Sequence, residues 1–252
     1  MPKPTFVAAR NRAPMSRACP RGRSAVALAL VAVLGMASAC TTGPGAGADE
    51  RRSREADDGR IVVATTFTIL ADMVGQIGGD RVRAESITTP GADVHHYEPT
   101  VNDLKRVEGA DLVVSNGLGM DDWLLRFLDT TDATHVVASA GIDPVPVRSG
   151  NYTGQPNPHA WMSPAEGAGY IRTIAGALAD ADPDGAAHYA ARADRYIAEL
   201  DGLTERARTA LAAVPAQRRV LATCEGAFTY LTRDLDLEEL YLWPVNTESQ
   251  GL

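Results

Sequence analysis

The sequence predicts an α/β protein with two parallel-sheet lobes, and three observations predict it. Short β-branched runs alternate with segments of helical spacing through the first half, the pattern of a doubly wound parallel sheet. An unbroken helical pattern then runs over 186–213, on the order of 40 Å at 1.5 Å per residue and long enough to join two lobes. Beyond it a strand–helix–strand order opens again, so a second sheet begins that is expected to be incomplete at Leu252.

Each element has a local reason. Residues 61–66 (Ile-Val-Val-Ala-Thr-Thr) form a β-branched run of the kind buried in a parallel sheet. Ile69, Leu70, Met73, Val74 and Ile77 recur at helical spacing, and Gly78-Gly79 stops that helix. Residues 82–88 read as a second strand, with a loop after it. A helix follows over 100–109, capped by Thr100 or Asn102. Residues 110–115 are a third strand, 121–128 a helix and 135–138 a fourth strand. Ser163 with Pro164 at the first helical position opens a helix that reaches about Asp180. After the long helix, 219–223 is a strand, 228–233 a helix and 240–245 a strand. The division expected is a lobe over 60–182, a linking helix over 183–215 and a partial second lobe over 216–252.

The N-terminus reads as a leader. Residues 1–39 carry six basic side chains and no acidic one, and an apolar run from Ala25 to Leu34 leads to Ala37-Ser38-Ala39-Cys40. Basic, apolar and small segments in that order make a secretory signal peptide, too short for a membrane span. Cys40 directly after them resembles a lipobox and is expected to be lipidated, although Ala37 stands where such motifs usually have Leu. The leader pattern needs nothing before Met15, an alternative start. Residues 40–59 are small, polar and charged without periodicity, a flexible tether. The expected location is the extracytoplasmic face of the cell membrane, held there by the lipid.

Charge narrows the function. The chain has 24 Lys and Arg against 32 Asp and Glu, and without its first 39 residues 18 against 32. So acidic a body argues against nucleic acid, whose binding rests on basic surface. Of three cysteines, Cys19 lies in the leader and Cys40 is the anchor, which leaves Cys224 without an intramolecular partner.

Two Pro-bounded loops far apart in sequence each carry histidine: Asp93-Val94-His95-His96-Tyr97-Glu98-Pro99-Thr100 and Asn157-Pro158-His159-Ala160-Trp161-Met162-Ser163-Pro164. Imidazole is the commonest protein metal ligand, so two such loops point to one site assembled by the fold. With Thr223-Cys224-Glu225-Gly226-Ala227-Phe228-Thr229-Tyr230 and Tyr241-Leu242-Trp243-Pro244-Val245-Asn246-Thr247-Glu248, these motifs resemble the metal-binding lipoproteins of bacterial manganese and zinc ABC transporters. The resemblance covers Ile61 to the end. It implies two α/β lobes joined by a rigid helix, with the metal clamped between them.

Carried over by position, the ligands it implies are His95, His159 and Glu225. A fourth family ligand, an Asp near the C-terminus, has no counterpart, and Val94 stands where the family usually has Pro. Mn²⁺ or Zn²⁺ is the implied cargo. Glu225 and the lack of a His-rich loop between His95 and His159 favour manganese, since carboxylates suit the harder ion. The implied partners are the divalent ion and the membrane subunits of an ABC permease, with the chain itself a monomer. Binding is expected to weaken as pH falls through the histidine range, because imidazole must be neutral to coordinate.

The plainer readings are these. His96 faces solvent, while His135 and His188 are structural, as is Cys224. Glu225 could instead serve backbone donors at a helix start. Asp121, Asp122 and the cluster Asp234, Asp236, Glu238 and Glu239 read as solvated surface. No His-Glu-x-x-His pair, Gly-x-Ser-x-Gly elbow or Gly-rich phosphate loop supports an enzyme. A zinc importer of the same type, a surface adhesin and a metal hydrolase are the alternative functions.

Overall fold

A computed structural model describes residues 58–244. The expected signal peptide, Cys40, nearly all of the tether and residues 245–252 lie outside the described residues. The elements are β1 (Ile61–Thr65), α1 (Thr68–Gly78), β2 (Val82–Ser86), α2 (Val101–Glu108), β3 (Leu112–Ser115), α3 (Leu125–Leu128) and β4 (Thr134–Val137). They continue with α4 (Pro164–Ala181), α5 (Ala186–Ala212), β5 (Val220–Glu225), α6 (Thr229–Leu235) and β6 (Glu238–Trp243). The first four strands form one parallel sheet in the order β2-β1-β3-β4, and β5 and β6 pair in parallel as a second.

The first core follows from helical spacing. Leu70, Met73, Val74 and Ile77 of α1 are buried, and they pack with Val63 of β1, Val114 of β3, and Tyr170, Ile171, Ile174 and Leu178 of α4. Ile69, on the flank of the same stripe, is exposed. α1 ends where Gly79 takes φ 60°, and residue 78 is glycine for a steric reason, because a Cβ there would clash with the side chain of Val82, the first residue of β2. Gly78→Ala is therefore expected to cost about 1–3 kcal/mol through overpacking, read as a lower urea midpoint. An unchanged midpoint would mean that the turn is free to shift.

α5 is held at both ends by different partners. Its first half packs by Tyr189, Ala193, Tyr196, Ile197 and Leu200 on the core of the first sheet. Farther on, Leu203, Thr204 and Ala207 face Leu231 and Leu235 of α6 across an apolar groove. The turn before α5 is fixed by Asp182, which accepts from Arg81 Nε at 2.8 Å and the Tyr189 hydroxyl at 2.7 Å.

Tyr230 of α6 is fully buried and seats the second sheet on the first lobe. Its hydroxyl donates to the Asn157 carbonyl at 2.8 Å and accepts from the Val145 N–H at 3.1 Å. Ser163 donates to Asp234, and Arg233 pairs with Glu166 at 2.6 Å. On the outward face of β5 and β6, Val220, Ala222, Cys224, Leu240 and Leu242 are exposed.

Several expectations need correction. Cys224 is an exposed free thiol rather than a structural side chain, because β5 alternates and its outward face has no cover among the described residues. Asp121 is buried rather than solvated. Its carboxylate accepts from the Thr66 hydroxyl at 2.6 Å and the Gly117 N–H at 3.0 Å, so the helix expected from 121 becomes a short helical turn over 122–124 before α3. Glu239 is half-buried and accepts from the Phe228 N–H and the Thr229 hydroxyl. The second strand ends at Ser86, although the Ile87 and Thr88 N–H groups still donate to the Thr65 and Thr66 carbonyls at the end of β1.

Candidate metal centre

The loops that follow β2 and β4 leave the carboxyl edge of the first sheet, where open α/β sheets build their sites. The β2–α2 loop carries His95. Asp93 makes its turn, accepting from the backbone N–H of His95 at 3.0 Å and from His96 Nδ1 at 3.1 Å. That second bond draws His96 outward, where it is exposed. The Val94 carbonyl accepts from Trp123 Nε1 at 3.2 Å, so the loop is pinned without the proline usual at that position. Farther on, Tyr97 packs tilted against Trp123 and donates to Asp103 at 2.9 Å. Asp103 and Thr100 form the capping box of α2, so one carboxylate anchors both the loop and the helix.

The loop after β4 carries His159 just before α4. Asn157 Oδ1 accepts from His159 Nδ1 at 2.9 Å, which leaves Nε2 unprotonated and turned into the cleft. The Pro158 carbonyl accepts from Asn116 Nδ2 at 3.0 Å, and Asn116 Oδ1 accepts from the Tyr170 hydroxyl. Asp121 holds the backbone of Asn116 from behind. Glu225 comes from the second sheet as the last residue of β5. Gly226 follows it because nothing larger fits, since a Cβ there would meet the Pro244 carbonyl at 2.3 Å.

The structure brings His95, His159 and Glu225 together. His95 Nε2 lies 3.2 Å from His159 Nε2, and Glu225 Oε1 lies 3.8 and 3.6 Å from those two nitrogens. An ion set among atoms at these spacings sits about 2.1 Å from each, within the zinc–nitrogen and zinc–oxygen range. The side chains of His159, His95 and Glu225 are 5%, 12% and 25% exposed, so the trio is shielded but reachable. Among the described residues no other group of three His, Cys, Asp or Glu side chains converges this way. His135 and His188 bond Ser115 and the Gly78 carbonyl instead.

With His159 Nε2 bare, the close contact needs the single ring proton of neutral His95 on Nε2, and for Nε2 to serve as a ligand that proton would have to move to Nδ1. Among the described residues His95 Nδ1 has no partner. Burial pushes His159 down to about 3, helped by the neighbouring His95. Burial also lowers His95, against the pull of Asp93.

His159 is therefore neutral well below the ordinary histidine range and His95 is shifted in the same direction, so the pH window expected from sequence moves to the acid side. For stability the sign follows directly. Below about 6.5 the unfolded chain takes up protons that the fold refuses, so stability is full above that pH and erodes as pH falls toward about 3. At about 1.4 kcal/mol per pKa unit the loss reaches a few kcal/mol. Urea midpoints of the metal-free chain at pH 7.5, 6 and 4.5 check this, and midpoints that hold steady to 4.5 would contradict it.

Sequence reasoning missed Asn157, Asn116 and Asp121. Asn157 had a signal, two residues before a histidine and locked by Pro158. Asp121 had a weaker one in the glycine-punctuated run 117–121.

Comparison with known proteins fits this geometry. Residues 63–251 match the family model described as ZnuA, zinc-uptake complex component A periplasmic. The chain is 43% identical over 194 residues to the iron-binding protein YfeA of Yersinia pestis, covering 77% of this chain and 62% of that protein's length. It is 30% identical over 207 residues to the manganese ABC transporter substrate-binding lipoprotein PsaA of Streptococcus pneumoniae, covering 79% and 67%. Among solved structures it resembles the Mn-bound periplasmic metal binding protein from candidatus liberibacter asiaticus. There the TM-score is 0.69 and the identity 31%, over 75% of this chain and 71% of that one. At that TM-score this chain, with its parallel sheets and long helix, shares the fold of that protein over the matched residues.

Proposed function

The chain belongs to the ZnuA family of metal-binding substrate-binding proteins, and from that premise we propose that it captures a divalent transition metal and delivers it to an ABC permease for import. The observation that carries this is the convergence of His95, His159 and Glu225 at spacings that suit one ion. The three are proposed as ligands, two imidazoles from the first lobe (60–182) and one carboxylate from the second (216–252), with α5 between them.

Manganese is the favoured cargo. A carboxylate donor suits it, and it is the ion named for relatives such as PsaA and for the Mn-bound structure. Zinc binds a mixed nitrogen–oxygen set more tightly along the divalent series, so selectivity in use need not follow affinity. Iron is the third cargo to weigh, on the likeness to YfeA.

Capture needs no catalysis. As the ion enters, His95 passes to the tautomer with its ring proton on Nδ1, so both Nε2 atoms are bare, and Glu225 supplies the carboxylate from the other lobe. Lipidation at Cys40 would keep the domain beside its permease on the outer face of the membrane, which fits relatives named as lipoproteins. The test is isothermal titration of the purified chain with Mn²⁺, Fe²⁺ and Zn²⁺. Saturable one-to-one binding supports the reading, and no binding by a folded chain refutes it.

A further inference from the structure

We infer that Asn157 is a positioning residue for metal capture, one side chain that presents His159 Nε2 and holds the Glu225-bearing strand end against it. The inference rests on the metal-site reading above. Asn157 is 2% exposed, and both polar atoms of its side chain are used twice. Oδ1 accepts from His159 Nδ1 at 2.9 Å and from the His159 backbone N–H at 3.1 Å. Nδ2 donates to the Gly226 carbonyl at 2.8 Å and the Thr229 hydroxyl at 3.2 Å.

The orientation of this amide has no alternative. A backbone N–H can only donate and a carbonyl can only accept, so turning the amide over would break both bonds at once. It follows that His159 Nδ1 must donate and Nε2 must be bare, the form a metal needs.

The other half of the amide acts across the lobes. Gly226 directly follows Glu225, and its N–H donates to the Trp243 carbonyl at 3.0 Å while Pro244 crowds its α-carbon. Fixing the Gly226 carbonyl therefore fixes the end of β5. The backbone of Asn157 is held as well, its N–H on the Val145 carbonyl and its carbonyl on Tyr230. Imidazole and carboxylate are registered through a single side chain, although they come from different lobes.

Substitutions divide these roles. Asn157→Ala loses both. Asn157→Asp still accepts from His159 but sets an oxygen against the Gly226 carbonyl, so it keeps the histidine form and loses the link between lobes. The experiment compares the full chain with Asn157→Ala, Asn157→Asp and His159→Ala. It reads Mn²⁺ affinity, the visible spectrum of the Co²⁺-loaded protein, and the protonation of the His159 nitrogens by NMR without metal.

Asn157→Ala is expected to bind at least about tenfold more weakly, within the range for groups that orient a ligand, with a changed Co²⁺ spectrum and unchanged helix content. Asn157→Asp is expected to keep the Nδ1 proton and still bind more weakly than the parent. Parent-like affinity and spectrum in Asn157→Ala would overturn the inference, as would a parent His159 protonated on Nε2. If Asn157→Ala does not fold, Asn157→Asp decides, and parent-like binding by it overturns the lobe-holding role. A parent chain that binds no metal sinks the metal reading itself, while the NMR result on metal-free protein still judges what Asn157 does to His159.

Discussion

His159→Ala is expected to weaken Mn²⁺ and Zn²⁺ binding by at least about 100-fold, about 2.8 kcal/mol at 1.4 kcal/mol per tenfold. Its imidazole is the most deeply buried of the three proposed ligands, and an alanine leaves only His95 and Glu225 of that trio. The same substitution has an opposite effect on the metal-free chain in acid. The buried imidazole that resists protonation is gone, so the erosion of stability between pH 6.5 and about 3 should flatten. Titration and urea unfolding across pH read the two effects separately. A variant that binds like the parent would remove His159 from the ligand set.

Tyr230→Ala is expected to cost about 3–5 kcal/mol, the range for deleting a buried aromatic side chain. The damage should be uneven. Tyr230 bonds Asn157 and Val145 from α6 and lies beneath the Arg233 guanidinium, so its loss unseats the second sheet before the first. Hydrogen exchange should show protection lost in β5, α6 and β6 while β1, β3 and α1 keep theirs. Uniform loss in both sheets would mean that the lobes unfold as one unit. Tyr230→Phe isolates the hydroxyl, which leaves the Val145 N–H unpaired at about 1–3 kcal/mol.

The legible parts of this protein were those written in short-range pattern. β1 and α1 follow from β-branched and 3.6-residue spacing, because each buries a face against the same core. His95 and His159 stand out because rigid, Pro-bounded loops announce a fixed side chain. Glu225 was different: read alone it was as much a helix-start carboxylate, and only the family resemblance set it beside the histidines. Asp121 was misread because its three donors, Thr66, Asn116 and Gly117, come from the ends of two strands, and no local pattern reports such a meeting. Cys224 was misread because alternation along β5 gives two faces without saying whether anything covers the outer one.

The unequal division of the proposed ligands bears on the kinetics of release. Two nitrogens and nearly all of their supporting bonds belong to the first lobe, while the second contributes one oxygen. Were the lobes to loosen, the proposed bond to Glu225 would be the one lost, and the ion would be left on a pair of imidazoles. A borderline ion such as Zn²⁺ would dwell there, whereas the harder Mn²⁺, which prefers oxygen donors, would depart into water. Discrimination between cargoes can then arise from residence time on His95 and His159 after opening, even where the closed site ranks the same ions in the opposite order.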